Sequence, residues 1–263
     1  KILALLGVPV RVWPRAPLMY NKPYIFFDKS TKAKKIYSLI KKKIKTFSIE
    51  KCNFIIVIGG DGSFRGAAKL SELWDGQILG IPGTIDNDIA GTDATIGYFT
   101  AIDTAMSSID KVRDTADAFE RIFLVEVMGR NAGFLALNGA LSAAADYVVV
   151  PEFFESAETE INKIVNQIKA QRALKGPVSF IVVVAENVWP NGLTGLTEAL
   201  QYHNINDVRP VTLGHVQRGG SPVAQDRLLA TTLGEFAISL VGSDVTNIMV
   251  GEVNQRPITV PLP

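Results

Sequence analysis

Four short stretches concentrate the residues able to do chemistry: GGDGSFRG (59–66), GTIDND (83–88), MGRNAG (128–133) and TLGHVQRGGSP (212–222). In the first, glycines follow an apolar run and precede a helical pattern. That arrangement lets backbone N–H groups approach a phosphate closely while a helix N-terminus favours the anion. The spacing of Gly60, Gly62 and Gly66 does not fit the dinucleotide fingerprint, and no Walker lysine follows. Asp61 would repel a phosphate unless a cation stood between them, and Mg²⁺ is held by one or two carboxylates plus phosphate oxygens. A tight strand-to-helix turn with a capping acid is the alternative. In the second stretch, Thr84, Asp86 and Asp88 leave the end of an apolar run. If the segment is extended, the two acids point the same way. One could then take a proton from a hydroxyl while the other serves a metal. An Asx-rich turn also fits, with Asn87, Asp88 and Gly91 as its signature.

The third stretch sets Arg130 at a strand end, where a guanidinium fork suits a phosphate. Arg113, Arg121, Arg209 and Arg218 add further cations, although a lone arginine is more often a surface ion pair. The fourth stretch holds His215, one of only two histidines, with Gln217, Arg218 and two glycines beside it. Ser221 and Pro222 predict a helix start, as N-cap and first helical residue. Glu186 closes another apolar run and could accept hydrogen bonds from a sugar, cap a helix or sit on the surface as an acid. One cysteine and two histidines are too few for a zinc site. The residues themselves therefore point to phosphoryl transfer from a magnesium nucleotide to a hydroxyl, by positioning and electrostatics.

Short apolar runs alternating with amphipathic stretches must position these loops. Strands are predicted over 54–58, 77–81, 122–127, 147–150 and 178–184. Helices are predicted over 34–45, 65–73, 96–112, 134–144 and 157–172. Continuous Val/Ile runs suit strands buried on both faces, hence an α/β fold with doubly wound, mainly parallel sheets. In such folds ligands bind beyond the carboxyl ends of strands, where the polar loops fall. The opening segment to about residue 30 shows no clear period.

At 263 residues the chain can bury a sizeable core, as one large domain or two smaller ones. Lys and Arg (27) nearly balance Asp and Glu (26), so composition predicts no nucleic-acid stripe. The lysines over 29–51 read as the solvated face of a helix whose apolar side is Ile36, Leu39, Ile40 and Ile44, rather than a polyanion site. A single cysteine, Cys52, excludes an internal disulfide framework and reads as a small core residue. No apolar run approaches a membrane span.

The runs IGGDGSFRGA, GIPGTIDNDIAGTDATIGYFTA, VEVMGRNAG and LGHVQRGGSP, in this order, closely resemble the bacterial type of 6-phosphofructokinase over roughly residues 34–238. The resemblance implies transfer of the γ-phosphate of ATP, with Mg²⁺, to the 1-hydroxyl of fructose 6-phosphate, a glycolytic and cytoplasmic reaction. It implies two domains with the active site in the cleft between them: a nucleotide-binding part, 1–97 plus 217–263, and a sugar-phosphate part, 98–216. Asp86 would be the base, Asp61 and Asp88 the acids serving Mg²⁺. Thr84 would contact the transferring group and Arg130 would stabilise its charge. Gly60, Gly62, Ser63 and Gly66 would line the nucleotide. Met128, Gly129, Glu186, His215 and Arg218 would bind the sugar phosphate. Arg121 and Arg209 match residues given to a neighbour's site, which implies a homotetramer. Arg113 and Asp146 match an allosteric site for a nucleotide or phosphorylated effector. Glycine at 62 and 83 matches members that use ATP rather than pyrophosphate. Two family features have no counterpart here: the glycine-rich phosphate loop after the first strand, with a later arginine, and the last helices. Two expectations stay open on that account. Either these 263 residues omit segments of a working kinase, or the chain is a truncated, non-catalytic or regulatory relative with nucleotide binding in doubt.

Overall fold

The computed structural model describes residues 24–27 and 53–262. The opening KILAL, the basic helix expected over 34–45, Cys52 and the place of the first phosphate loop lie outside the described residues. The described chain forms two compact units. One takes 24–27, 53–84, 88–96 and 227–262; the other takes 85–87 and 97–226.

The first unit is built on a five-stranded sheet of order β1-β2-β3-β8-β9, from β1 (Tyr24–Phe27), β2 (Phe54–Gly59), β3 (Gln77–Pro82), β8 (Ile248–Val253) and β9 (Arg256–Pro261). All neighbours are parallel except β8 and β9, a common exception at a sheet edge. Between β2 and β3 runs α1 (Asp61–Ser71), whose Phe64, Ala67 and Leu70 pack on Ile55, Val57, Ile78 and Met249. Gln77 fastens the loop that leads into β8: its side-chain amide donates to the carbonyls of Leu240 and Val245 and accepts from the Gly242 N–H.

The second unit has a four-stranded, wholly parallel sheet of order β5-β6-β4-β7. Its strands are β4 (Ile122–Val127), β5 (Tyr147–Val149), β6 (Phe180–Ala185) and β7 (Val208–Thr212). Alternate residues serve opposite faces, as the pleat requires. Ile122, Leu124, Phe180, Val182 and Val184 pack under α4 (Ala157–Lys175) and α5 (Gly192–Tyr202). Phe123, Val125, Ile181 and Val183 pack under α2 (Tyr98–Phe119) and α3 (Phe134–Ser142). Helices on both faces explain why these strands read as unbroken apolar runs, and the doubly wound α/β expectation holds.

Several bounds differ from the sequence reading. The first described helix starts at Asp61, not near 65, because glycines disguise its first turns; α2 continues to Phe119 rather than 112. Ser221 and Pro222 do not open a helix: α6 runs Ala224–Ser239. A strand, β1, lies in the stretch that shows no period. Among the described residues no helix is long and apolar enough to cross a membrane.

Candidate active site

In the first unit the ends of β2 and β3 are in register, Gly59 opposite Pro82, and Gly83 donates to the Gly59 carbonyl at 3.0 Å. Gly60 follows in an extended conformation, and its carbonyl accepts from Ser63 (2.9 Å) and Phe64 (3.1 Å) to open α1. Glycine at 60 supplies no side-chain cap, so the first N–H groups of α1 are left for a ligand or water. A Cβ at Gly60 would come within 3.2 Å of the Thr84 Cβ, so the structure brings Thr84 against the glycine loop. Asp61 stands in the first turn of α1 and pairs with Arg65 at 3.1 Å. Among the described residues nothing stands within 4 Å of a Cβ built at Gly62, whereas a Cβ at Gly83 would meet Ile58 at 3.0 Å. Ser63 and Gly66 are buried in α1.

The segment 83–88 is not extended. The chain bends at Ile85 and Asp86, and Asn87 is left-handed with φ of 53°. The alternation argument for Asp86 and Asp88 therefore fails, because each residue outside the pleat takes its own direction. Thr84, Asp86 and Asp88 are all half-buried. The Thr84 carbonyl is fixed by the fully buried Thr95 hydroxyl at 2.7 Å.

In the second unit the carboxyl end of β4 runs into a tight turn at 128–130. Gly129 has φ of 155° and Arg130 of 62°. A Cβ at Gly129 would stand 2.4 Å from the Ala132 carbonyl, so only glycine fits. Glu186, at the carboxyl end of β6, accepts through one oxygen from the N–H groups of Gly129 (3.1 Å) and Arg130 (2.5 Å). It does not cap α5, whose N-cap is Asn191. Asn187 donates to the Arg130 carbonyl at 2.9 Å. Beyond β7 a 3₁₀ helix, Gly214–Arg218, exposes His215 and Arg218 and buries Gln217. Side chains three apart eclipse in such a helix, so His215 and Arg218 share an edge. Met128, Gly129, Arg130, Glu186, His215 and Arg218 thus gather at the carboxyl ends of β4, β6 and β7.

Arg121 and Arg209 do not join them. Arg121 immediately precedes β4, and Arg209 pairs with Phe123 near the start of that strand. A six-residue strand separates the two ends by roughly 20 Å. Both arginines share the carboxylate of Asp207, at 3.5 Å and 2.7 Å, and Arg121 also lies 4.5 Å over the Phe119 ring. Arg113 donates to the carbonyls of Ala143 (2.6 Å) and Ala144 (2.8 Å) at the end of α3. Asp146 accepts from the Ile181 N–H (2.8 Å) and from Gln171 (3.2 Å), so its carboxylate already ties β6 to α4.

Sequence reasoning missed Asp226. It is 2% exposed and accepts from the N–H groups of Gly97 (2.8 Å) and Thr100 (2.7 Å) and from the Thr100 hydroxyl. It supplies the acceptors that Gly97, the N-cap of α2, lacks. Among the described residues no group of three or more His, Cys, Asp and Glu stands ready for a metal. Any Mg²⁺ here would need the smaller set that fits it, one or two carboxylates completed by phosphate oxygens and water.

The two doubly wound, mainly parallel sheets define an α/β class with its polar loops at the strand ends, and comparison with known proteins narrows it. The family model described as Phosphofructokinase matches residues 25–241. The chain is 46% identical over 208 residues to ATP-dependent 6-phosphofructokinase 1 of Thermus thermophilus, covering 79% of this chain and 63% of that one. A solved phosphofructokinase of Pichia pastoris superposes with a TM-score of 0.75 at 34% identity, over 84% of this chain and 27% of that one. A pyrophosphate-dependent phosphofructokinase of Marinobacter aquaeolei, at 20% identity and a TM-score of 0.69 over 84% of this chain and 62% of that one, shares the fold alone. This chain belongs to the phosphofructokinase family. It spans less than two thirds of the length of the Thermus relative.

Proposed function

We propose that the protein containing this chain is an ATP-dependent 6-phosphofructokinase. It transfers the γ-phosphoryl group of ATP to the 1-hydroxyl of fructose 6-phosphate, giving fructose 1,6-bisphosphate and ADP, as a cytoplasmic glycolytic enzyme. The carrying observation is the open space beside Gly62 at the start of α1, in a chain 46% identical to a relative named for ATP. Among the described residues no neighbour demands glycine there, which supports a site with room for a ligand. The first unit would be the nucleotide-binding part and the second the sugar-phosphate part.

The first turn of α1, with Gly60 and Gly62, receives phosphate oxygens on backbone N–H groups. Asp61 and Asp88 would hold Mg²⁺, which when bound neutralises charge on the phosphates. Asp86 takes the proton of the 1-hydroxyl as its oxygen bonds to the γ-phosphorus and the bridge to the β-phosphorus breaks. Thr84, fixed through its carbonyl, contacts the transferring group, and Arg130 offsets its charge. Met128, Gly129, Glu186, His215 and Arg218 hold the sugar phosphate, with Glu186 also shaping the turn through its other contacts.

The position of Arg121 and Arg209 at the amino ends of their strands supports a homotetramer in which they serve a neighbour's substrate. Arg113 and Asp146, likewise remote from the strand carboxyl ends, would belong to an effector site, by framing it as much as by touching the effector. A coupled assay of the full-length protein with ATP, Mg²⁺ and fructose 6-phosphate tests the reading. Turnover is expected; its absence, or faster turnover with pyrophosphate than with ATP, overturns it.

A further inference from the structure

Gln217 is 1% exposed, although it lies between the exposed Val216 and Arg218. Its Oε1 accepts the Met128 N–H at 2.8 Å, and its Nε2 is buried with no hydrogen-bond partner among the described residues. Leaving an amide donor unmet is costly, so packing alone would favour an apolar side chain here. The acceptor half explains the residue. Met128, Gly129 and Arg130 present three successive N–H groups, and every one is taken by a side chain from another loop: the first by Gln217, the other two by Glu186. The turn they belong to has two positive φ angles, one of them at an arginine. Such a turn persists only where its surroundings hold it.

We infer that Gln217 is a positioning residue that locks the 128–130 turn to the 3₁₀ helix carrying His215 and Arg218. It thereby sets the two halves of the sugar-phosphate site in register. This rests on the proposed function, and it adds a residue that touches no substrate. Replacing the amide by a methionine of similar length removes the acceptor and orphans the Met128 N–H, while also removing the unmet Nε2 donor. Stability should therefore change little and substrate affinity much.

The test uses the full chain, with fructose 6-phosphate binding by calorimetry, thermal unfolding, and amide exchange over the 122–134 segment. Expected for Gln217→Met is a loss of affinity of about 10-fold or more, faster exchange at Met128, and a Tm within about 4 °C of the parent. Gln217→Glu, which keeps an oxygen at the same place, should recover part of the affinity. A merely structural role would instead lower Tm and leave the affinity of the folded protein unchanged, and that result overturns the inference. If Gln217→Met does not fold, Gln217→Asn decides: it withdraws the acceptor by one methylene, and unchanged affinity overturns the inference while weakened binding supports it. A parent protein that binds no fructose 6-phosphate overturns the proposed function itself, a result distinct from equal binding by parent and variant.

Discussion

At the scale of single residues, Gly62 and Gly83 look alike in the sequence and differ in the structure. Among the described residues nothing stands within 4 Å of a Cβ at 62, whereas one at 83 would press on Ile58 at 3.0 Å. Gly62→Ala is therefore expected to stabilise the fold by about 0.5–1 kcal/mol, since it replaces a helical glycine in open space. Gly83→Ala should destabilise it by about 1–3 kcal/mol through overpacking. Urea denaturation of both variants checks the contrast. Gly62→Asp should fold equally well yet lose at least about 10²-fold in kcat/KM for ATP, from the charge set against its phosphates; steady-state kinetics decide. Asp86→Ser should lower kcat by at least about 10²-fold with KM for fructose 6-phosphate little changed. Residue types were legible in the sequence because glycine, aspartate and arginine announce phosphate chemistry. Directions were not. Whether Asp86 and Asp88 share an aim depended on the bend at 85–86 and the left-handed Asn87, which no alternation rule contains.

At the scale of elements, the central strands were legible, and so were the starts at 134 and 157, whereas the first turns of α1 were not. β4 appears at 122–127 as expected because five apolar residues and one glutamate, Glu126, lie between clear turns, and helices cover both faces of its sheet. What caps α2 was hidden for a physical reason. Its N-cap is a glycine, and the carboxylate that replaces the cap, Asp226, stands 129 positions along the chain. Local patterns cannot report a cap delivered from another helix. Likewise β1 owes its existence to pairing with β2, not to a period of its own. Asp226→Ala orphans two partly buried N–H groups and a hydroxyl, and is expected to cost about 1–3 kcal/mol in urea denaturation. Asp226→Asn should cost less, because one carbonyl oxygen remains to accept.

At the scale of the whole molecule, a buried phenol and a half-buried one set an alkaline limit. Burial raises the pKa of Tyr98 above its ordinary 10.0. It raises that of Tyr147 further, and there the hydrogen bond to Glu160 at 2.6 Å and the carboxylate's charge add to the effect. A pKa raised on folding contributes stability that is fully present below the unfolded value and lost as pH climbs through the folded one. The urea midpoint should therefore fall as pH rises above about 10. Tyr147→Phe should flatten that fall while lowering stability at neutral pH through the lost hydrogen bond; denaturation at pH 7 and above pH 10 measures both. The order of strands also governs how the chain leaves the ribosome. β3 needs β8 along one edge, and the whole second unit, 97–226, is synthesised before β8 exists. At about 5–20 residues per second that apolar edge, with Ile78 and Leu79, waits on the order of ten seconds or more for its partner. The nascent protein thus carries a finished domain and an open sheet at once, and chaperone capture during translation should centre on β3.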